Sequence, residues 1–232
     1  MKKLIIIPAY NESESILEVI KDIQKNAPGY DYVVVNDAST DNTKKICEEN
    51  NIHFLDLASN MGIGGAVQTG YRYALYEDYD IAVQLDGDGQ HGAASLPSME
   101  EKMLSEDADM VIGSRFIDKE GFQSTRLRRA AIKYFTWLIR VCTKQTITDP
   151  TSGLRLCNKR TIKQFATLYP WDYPEPESTT TILKMGYKVL EVPVVMHARQ
   201  GGKSSLSNPF KSVFYMIKVT AGIIIEAAGR RK

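Results

Sequence analysis

The sequence is poor in cysteine and lacks any long uninterrupted apolar run. Its three cysteines, Cys47, Cys142 and Cys157, are scattered over 232 residues, and no two of them have the spacing of a metal-binding pair. They are typical of reduced thiols in a cytosolic protein. The apolar run at the N-terminus, Leu4–Ile7, ends at Pro8, which is too soon for a signal peptide. No apolar segment reaches the roughly 18 residues expected of a membrane-spanning helix. We therefore expect neither a secretion signal nor a membrane span.

The two halves of the sequence carry opposite net charge. Residues 1–125 contain 10 Lys and Arg against 22 Asp and Glu, whereas residues 126–232 contain 19 against 6. One interpretation is a solvated surface of no particular consequence. The other is an acidic half that holds cations and a basic half that meets anions or an anionic membrane. We expect no nucleic-acid partner.

Short apolar runs alternate with segments of helical spacing over the first 115 residues. Leu4–Ile7, Tyr32–Val35 and Ile81–Leu85 are typical of buried strands, and this alternation predicts an α/β fold with a mostly parallel sheet flanked by helices. Ligands bind beyond the carboxyl ends of the strands in such sheets. The polar segments that gather at those ends are Pro8–Glu12, Asp37, Asn60–Gly65, Asp86–Gln90 and Gly113–Arg115.

The second half ends in a long apolar helix. Residues 1–205 are expected to form the α/β domain, and residues 206–232 a C-terminal amphipathic helix. The helix is too interrupted by lysines for a clean membrane span. It is expected to lie on an anionic membrane surface, to dock on a small membrane partner protein, or to pack on its own domain. Any membrane contact would then be peripheral.

Two carboxylates stand one residue apart after the strand that ends at Leu85. Glycines at 87 and 89 let this Asp86-Gly87-Asp88 turn fold tightly. Paired hard oxygen ligands suit Mg²⁺ or Mn²⁺, and Gln90 stands close enough to complete the ligand shell. The alternative is an ordinary acidic turn.

Two other features indicate a bound nucleotide. Asp37 ends the second strand, where it could contact a base or ribose, although an aspartate at this position could equally cap a helix. The segment Asn60–Ala66 is a glycine-rich loop whose backbone N–H groups, including that of Gly64, could approach a phosphate. It is neither the dinucleotide fingerprint nor an ATP-type phosphate loop.

In order and spacing, these motifs resemble the family 2 glycosyltransferases, which have the GT-A (Rossmann-like) fold. The resemblance covers nearly the whole chain. The carriers are Pro8-Ala9-Tyr10-Asn11-Glu12, Asn36-Asp37-Ala38-Ser39-Thr40-Asp41, Asn60-x-Gly62-x-Gly64-Gly65-Ala66, Asp86-Gly87-Asp88-Gly89-Gln90-His91 and Gly113-Ser114-Arg115. Within the family the chain looks most like polyprenyl-phosphate (dolichyl-phosphate-type) sugar synthases. That narrower likeness is carried by Asp149-x-Thr151-Ser152-Gly153-Leu154-Arg155, Tyr173-Pro174-Glu175-Pro176-Glu177 and Arg199-x-x-Gly202-x-Ser204.

The resemblance implies a role for each site residue. The nucleotide would be held by Pro8, Tyr10, Glu12, Asp37, Gly64 and Asp86, and the metal by Asp86, Asp88 and Gln90. The acceptor phosphate would meet Arg115, Arg129, Arg199 and Ser204, and the catalytic set would be Asp86, Asp88, Arg115 and Arg199. Arg126 and Arg128 are neighbours that could serve instead of Arg129, and Lys133 stands where relatives carry a serine.

The implied reaction is inverting transfer of a hexose from a UDP- or GDP-sugar to a polyprenyl phosphate. It would take place at the cytoplasmic membrane face with Mg²⁺ or Mn²⁺. An ionised phosphate acceptor needs no general base, whereas a sugar hydroxyl of a cell-surface glycan would need one, for which Asp149, Glu175 and Glu177 are the candidates. A non-catalytic nucleotide-sugar binding protein is a further alternative. A sugar nucleotidyltransferase would need a basic, glycine-rich loop after the first strand, which the segment Pro8–Glu12 is not.

Overall fold

The computed structural model describes residues 1–90, 92–118, 120–121, 126–196 and 209–229. Arg199 and Ser204, which were expected at the acceptor phosphate, and the expected domain boundary at residue 205 lie outside these residues. The strands are β1 (Lys3–Ala9), β2 (Asp31–Asn36), β3 (Phe54–Asp56), β4 (Ile81–Gln84), β5 (Met110–Ser114), β6 (Arg155–Asn158) and β7 (Val189–Pro193). The α-helices are α1 (Ile16–Asn26), α2 (Thr43–Glu49), α3 (Gly62–Tyr76), α4 (Leu96–Glu106), α5 (Arg126–Thr143), α6 (Lys159–Thr167), α7 (Pro174–Lys184) and α8 (Pro209–Ala228).

The seven strands form one sheet in the order β3-β2-β1-β4-β6-β5-β7. All neighbouring pairs are parallel except those of β6, which runs antiparallel to both β4 and β5. The expectation of a mostly parallel sheet flanked by helices is thus confirmed. Because β6 is reversed, its first residue, Arg155, pairs with Gln84 at the end of β4. The loop 149–154 therefore lies at the edge where the parallel strands end.

The central strands are buried on both faces, which explains their continuous apolar sequence. Ile5 and Ile7 pack into one core layer with α1 and α4, whereas Leu4 and Ile6 pack into the other with α3 and α5. Helix α1 presents its apolar residues at helical spacing to the first layer. Two cores enclosing one sheet give a rigid platform for the loops at the strand ends.

Helices α5, α7 and α8 pack against one another beside the second core. The Tyr215 ring of α8 makes an edge contact with Phe135 of α5, with 5.6 Å between ring centroids, and another with Tyr173 at the start of α7, at 4.5 Å. Val219 and Ile223 of α8 are buried. One face of α8 is therefore packed on its own protein, as one of the three sequence interpretations proposed. Among the helices described, none has the length and apolar character needed to cross a bilayer.

Helix α6 was not predicted from the sequence, in which lysine, arginine, threonine and glutamine make up most of this segment. The sequence nevertheless contains two signals of a helix here, an N-cap and an apolar pattern. The Asn158 side chain accepts the Thr161 N–H at 3.0 Å as an N-cap. Ile162, Phe165 and Ala166 are buried at helical spacing. A cap followed by an i, i+3, i+4 apolar pattern would have located this helix.

Candidate active site

The Asp86-Gly87-Asp88 turn lies where β4 ends, next to the loop that precedes β6. Asp88 Oδ1 accepts the backbone N–H of Gln90 at 3.0 Å, which closes the turn. The backbone of Gly153 lies against the Asp86 carboxylate, since a Cβ at this position would lie 2.4 Å from Asp86 Oδ2. Only glycine at 153 leaves room for that carboxylate in its present position.

The donor set fits a hard divalent cation. Asp86, Asp88 and the Gln90 amide lie within one tight turn and would supply oxygen ligands to such a cation. In the described part of the chain no group of three or more His, Cys, Asp or Glu side chains surrounds a metal position. Two carboxylates with further ligands from water and a diphosphate are the usual arrangement for Mg²⁺. These residues therefore fit a divalent metal that a substrate diphosphate would also contact.

The segment after β1 packs against the same turn. Ser15 Oγ lies 2.8 Å from the Gly87 carbonyl and 3.0 Å from Glu12 Oε2, so one hydroxyl joins the two segments. A Cβ at Gly87 would lie 3.0 Å from the Pro8 carbonyl. Tyr10 is 48% exposed beside them. The structure thus brings Pro8 and Glu12 next to the Asp86–Asp88 turn, and it leaves the Tyr10 ring accessible.

Asp37 caps a helix, although not the one that follows it in sequence. Its Oδ1 accepts the Met61 N–H at 2.6 Å, at the start of α3. Burial raises the pKa of Asp37, and the N–H groups of Met61 and Gly62 oppose that rise. Asp37 is 3% exposed. The capping interpretation is therefore observed, and any nucleotide contact would have to use the remaining edge of a largely enclosed carboxylate.

Gly64 has a packing role, which corrects the expectation that its N–H is available to a phosphate. That N–H donates to the Trp171 carbonyl at 3.0 Å. A Cβ at position 64 would lie 2.0 Å from the Pro170 carbonyl. Gly64 lets the first turn of α3 approach residues 170–171. Packing, rather than a ligand, therefore explains why this position has no side chain.

Arg115 is held by a buried ion pair. Its Nε and Nη2 donate to the two carboxylate oxygens of Asp149 at 2.5 and 2.6 Å, and Nη2 also donates to Thr151 Oγ1 at 2.9 Å. Arg115 is 2% exposed and Asp149 is fully buried. Since its carboxylate is engaged by a guanidinium, Asp149 is poorly suited to act as a general base.

Asp149 is in turn positioned by Glu191 of β7. Glu191 Oε1 accepts the Asp149 N–H at 2.9 Å, and Oε2 accepts the Thr148 N–H at 2.7 Å. Burial raises the pKa of Glu191, with Asp149 adding to the rise and the bonds from Thr148 and Asp149 opposing it. Sequence reasoning missed this residue. The available signal was a charged residue inside an apolar strand, Val189–Pro193.

Arg128, rather than Arg129, faces Arg115. Desolvation and the neighbouring Arg115 lower the pKa of Arg128, whereas Tyr215, Asp149 and Glu175 raise it. Arg129 is exposed on α5, and Arg128 is exposed as well but has Arg115 as a neighbour. The helical phase explains the difference, because Arg128 precedes the buried Ile132 by four residues. Arg128, which the sequence offered as an alternative to Arg129, is therefore the arginine near Arg115, and a contact between Arg129 and an acceptor phosphate stays a prediction.

Glu175 and Glu177 point to different neighbours at the start of α7. Burial raises the pKa of Glu175, Arg155 opposes the rise, and Asp86 adds to it, which places this carboxyl near the Asp86 turn. Glu177 lies against α8, since a Cβ at Gly222 would lie 2.5 Å from its Oε2. Glu175 therefore borders the candidate site, and Glu177 borders α8.

Arg155 is a second residue that sequence reasoning left without a role. It is fully buried and donates to the Ser152 carbonyl at 2.8 Å, the Pro150 carbonyl at 3.1 Å and Ser178 Oγ at 2.9 Å. These bonds fold the loop 149–154 over one guanidinium. The same loop thereby holds Asp149 against Arg115 and Gly153 against Asp86.

Known protein sequences resemble this chain. The model of glycosyl transferase family 2 matches residues 4–165. An undecaprenyl-phosphate mannosyltransferase of Micrococcus luteus is 31% identical over 216 residues, which cover 89% of this chain and 88% of the relative. A UDP-N-acetylglucosamine–dolichyl-phosphate N-acetylglucosaminyltransferase of Methanococcus voltae is 30% identical over 181 residues, which cover 68% of this chain and 70% of the relative.

Solved structures share the fold. Glucosyl-3-phosphoglycerate synthase from Mycobacterium tuberculosis, in complex with Mn²⁺, UDP-glucose and phosphoglyceric acid, superimposes with a TM-score of 0.69 at 18% identity. The match covers 100% of this chain and 81% of the synthase. The expected GT-A fold is confirmed. Together with the family match over most of the chain, these findings establish that the protein belongs to glycosyltransferase family 2.

Proposed function

We propose that this chain transfers a hexose from a UDP- or GDP-sugar to a polyprenyl phosphate, with inversion at the sugar carbon. Residues 1–205 would form the catalytic domain. The observation that carries the proposal is the closeness of Arg128 to Arg115, beside the Asp86 turn. The relatives from M. luteus and M. voltae, whose names specify polyprenyl-phosphate acceptors, support the same acceptor class.

Two neighbouring guanidinium groups favour an anionic acceptor. Asp149 neutralises Arg115 on one side, and burial together with the charge of Arg115 lowers the pKa of Arg128. A phosphate between them would relieve that repulsion and accept planar, paired N–H donors. Arg199 and Ser204, outside the described residues, would add to this cradle as the family resemblance implies.

A phosphate acceptor requires no proton transfer before it attacks. Its second pKa is about 6, so at neutral pH it is mostly dianionic. One of its oxygens would form the new bond to the anomeric carbon as the bond from that carbon to the donor diphosphate breaks. The electron pair leaves with the nucleoside diphosphate. Direct displacement from the opposite face inverts the anomeric configuration.

The donor would lie at the edge formed by β1, β2 and β4. Pro8, Tyr10, Glu12 and Asp37 border the space expected for the nucleotide. Asp86, Asp88 and Gln90 would hold Mg²⁺ or Mn²⁺, which when bound stabilises the negative charge on the leaving diphosphate. The Mn²⁺ in the complex of the mycobacterial synthase supports a divalent metal in this fold. Among the donor residues, Asp86 is positioned by Gly153.

The lipid acceptor implies work at a membrane. We propose a peripheral location on the cytoplasmic face, where nucleotide sugars and the carrier phosphate would meet. The names of the relatives support the lipid substrate, and the basic second half of the chain supports contact with anionic lipid. A small membrane partner protein is the alternative anchor.

One observation favours a second candidate, a sugar hydroxyl acceptor. Glu175 borders Asp86 and burial raises its pKa, and a carboxyl in such an environment is a candidate general base. If Glu175 removed a proton from a hydroxyl, the acceptor would be a glycan rather than a phosphate.

The test is donor turnover with UDP-, GDP- and dTDP-sugars, with Mg²⁺ or Mn²⁺, with and without undecaprenyl phosphate in detergent. We expect nucleoside diphosphate release that requires the lipid phosphate and is lost in Asp88→Ala. Glu175→Gln separates the two acceptors. If turnover proceeds without the lipid phosphate on a glycan acceptor, and Glu175→Gln abolishes it while preserving the fold, the phosphate acceptor is wrong.

A further inference from the structure

Helices α5 and α8 pack against each other, and both expose large apolar side chains. On α5, Trp137 is 57% exposed and Val141 is also exposed. The two helices meet through Thr220 of α8, whose Oγ1 lies 3.4 Å from the Tyr134 hydroxyl, and the Tyr134 ring lies 6.0 Å from that of Trp137. The exposed apolar residues of α8 are Val213, Phe214, Ile217, Ile224 and Ile225. We call these seven exposed apolar residues, two on α5 and five on α8, the docking face.

The docking face is bordered by cations. Helix α5 contains no Asp or Glu. Its exposed Arg129, Lys133 and Arg140 recur at helical spacing, and none of them forms an ion pair with a described residue. Helix α8 has one acidic residue, Glu226, which accepts a hydrogen bond from Thr181 at 2.8 Å. The surface is therefore apolar at its centre and positively charged at its rim.

These features favour a lipid surface over another protein. Interfacial helices bury apolar and aromatic residues at the level of the headgroups while Lys and Arg attract anionic lipid. A tryptophan beside aliphatic residues suits that interface, because its ring is apolar and its N–H polar. With Arg129, Lys133 and Arg140 exposed along α5, the face would attract anionic phospholipid.

We propose that the docking face binds the protein to an anionic phospholipid surface. The inference rests on the proposed lipid acceptor and adds the part of the fold that meets the membrane. Helix α5 links the candidate active site to the docking face. Its first turn carries Arg128, which is near Arg115, and a later turn carries Trp137. An acceptor phosphate at the arginines would thus be reached from the bilayer along one helix.

Vesicle sedimentation tests the face directly. Wild type is expected to bind phosphatidylcholine vesicles containing phosphatidylglycerol more tightly than pure phosphatidylcholine vesicles, and added salt should weaken that binding. Arg140→Glu should lower the partition coefficient roughly 25-fold, because each cation near an anionic surface contributes about fivefold. The double variant Ile217→Ser/Ile224→Ser should lower it at least about tenfold.

The matched control is Leu104→Ser on α4, which replaces a residue of similar exposure far from the face in sequence. It should bind vesicles as wild type does. Circular dichroism and melting temperatures check that every variant is folded. Equal binding by Ile217→Ser/Ile224→Ser and wild type would overturn the proposal. So would a wild-type dimer in sedimentation velocity that these serines dissociate, with no vesicle binding.

The protein has two tryptophans, which permits a local measurement. In Trp171→Phe the remaining Trp137 should shift its emission to shorter wavelength with anionic vesicles and be quenched by brominated lipid. In Trp137→Phe the remaining Trp171 should change less. Vesicle binding without any response from Trp137 would show that another surface meets the lipid.

A short-chain, water-soluble polyprenyl phosphate separates this inference from the proposed function. The Ile217→Ser/Ile224→Ser variant should turn over that acceptor at the wild-type rate and lose activity only with vesicle-bound undecaprenyl phosphate. If wild type binds anionic vesicles through this face yet transfers no sugar to either acceptor, the docking face stands and the proposed function is wrong.

Discussion

Arg115 and Asp149 form a bidentate ion pair across the candidate site, with N···O distances of 2.5 and 2.6 Å, and neither side chain has appreciable contact with solvent. The pair fixes the plane of the guanidinium. Its remaining nitrogen, Nη1, lies 3.5 Å from the Met196 sulfur. The carboxylate thus positions the arginine that we propose to meet the acceptor phosphate.

Removing the charge of Asp149 should lower both stability and activity. Asp149→Asn leaves a buried guanidinium without its counter-charge, which typically costs about 3 kcal/mol or more. Urea denaturation measures the free energy of unfolding. Asp78→Asn is the control, because that carboxylate pairs with Lys159 at the surface and is 82% exposed; we expect its unfolding midpoint to match wild type. Wild-type stability in Asp149→Asn would contradict the importance of the buried pair.

Adding a methyl group at Gly153 should move the Asp86 carboxylate. The new Cβ would lie 2.4 Å from Asp86 Oδ2, so the carboxylate has to turn away. A misplacement of about 1 Å in a catalytic group can lower the rate by about 10²-fold. Steady-state turnover of Gly153→Ala as a function of metal concentration measures the effect. Gly29→Ala, whose Cβ would meet only Lys3 Nζ at 3.8 Å, is the control and should retain full activity.

Arg128 and Arg129 provide a matched pair on one helix. Arg128→Ala should raise the KM for polyprenyl phosphate in detergent roughly 10- to 100-fold, because charge-assisted hydrogen bonds contribute about 1.5–3 kcal/mol. Arg129→Ala should change this KM little, since Arg129 lies on the outer side of α5. A larger effect from Arg129→Ala would support the sequence-based prediction that Arg129 contacts the acceptor phosphate.

The three thiols should differ in reactivity. Burial raises the pKa of Cys47 to about 11 and that of Cys157 to about 12, so at pH 8 both are protonated, and the thiolate is the reactive form. Cys142 is partly exposed. Mass spectrometry after brief alkylation should therefore find one modified cysteine, Cys142, in the native protein, and all three after unfolding. Rapid native labelling of Cys157 would contradict the packing of β6.

Much of the site could be predicted because the end of a buried strand can be recognised in the sequence as the end of an apolar run. Asp86 and Arg115 follow buried apolar runs, and the structure places both at one edge of the sheet. Asp37 was equally consistent with a cap or a ligand, since both roles use the same oxygens. The cap partner, Met61, lies 24 residues away, and local sequence gives no information on such a distance.

Other features depend on three-dimensional packing. A glycine-rich loop predicts an open backbone, yet the N–H of Gly64 is engaged by Trp171, more than 100 residues later. Arg128 could have been identified by extending the apolar period of α5 back from Ile132. Nothing in the sequence indicated the direction of β6, because Arg155–Asn158 would fit a parallel or an antiparallel neighbour equally well.

The reversed direction of β6 also constrains how this site can change. In an all-parallel sheet, residues that precede a strand emerge at the edge opposite the ligands, so they contribute little to chemistry. Here residues 149–154 arrive at the ligand edge, and one six-residue loop contacts both Asp86 and Arg115. An insertion or deletion in that loop would therefore change the proposed donor site at Asp86 and the proposed acceptor site at Arg115 together. Because α5 brings Arg128 close to Arg115 from outside that loop, we expect substitutions on α5 to change acceptor specificity with less effect on Asp86.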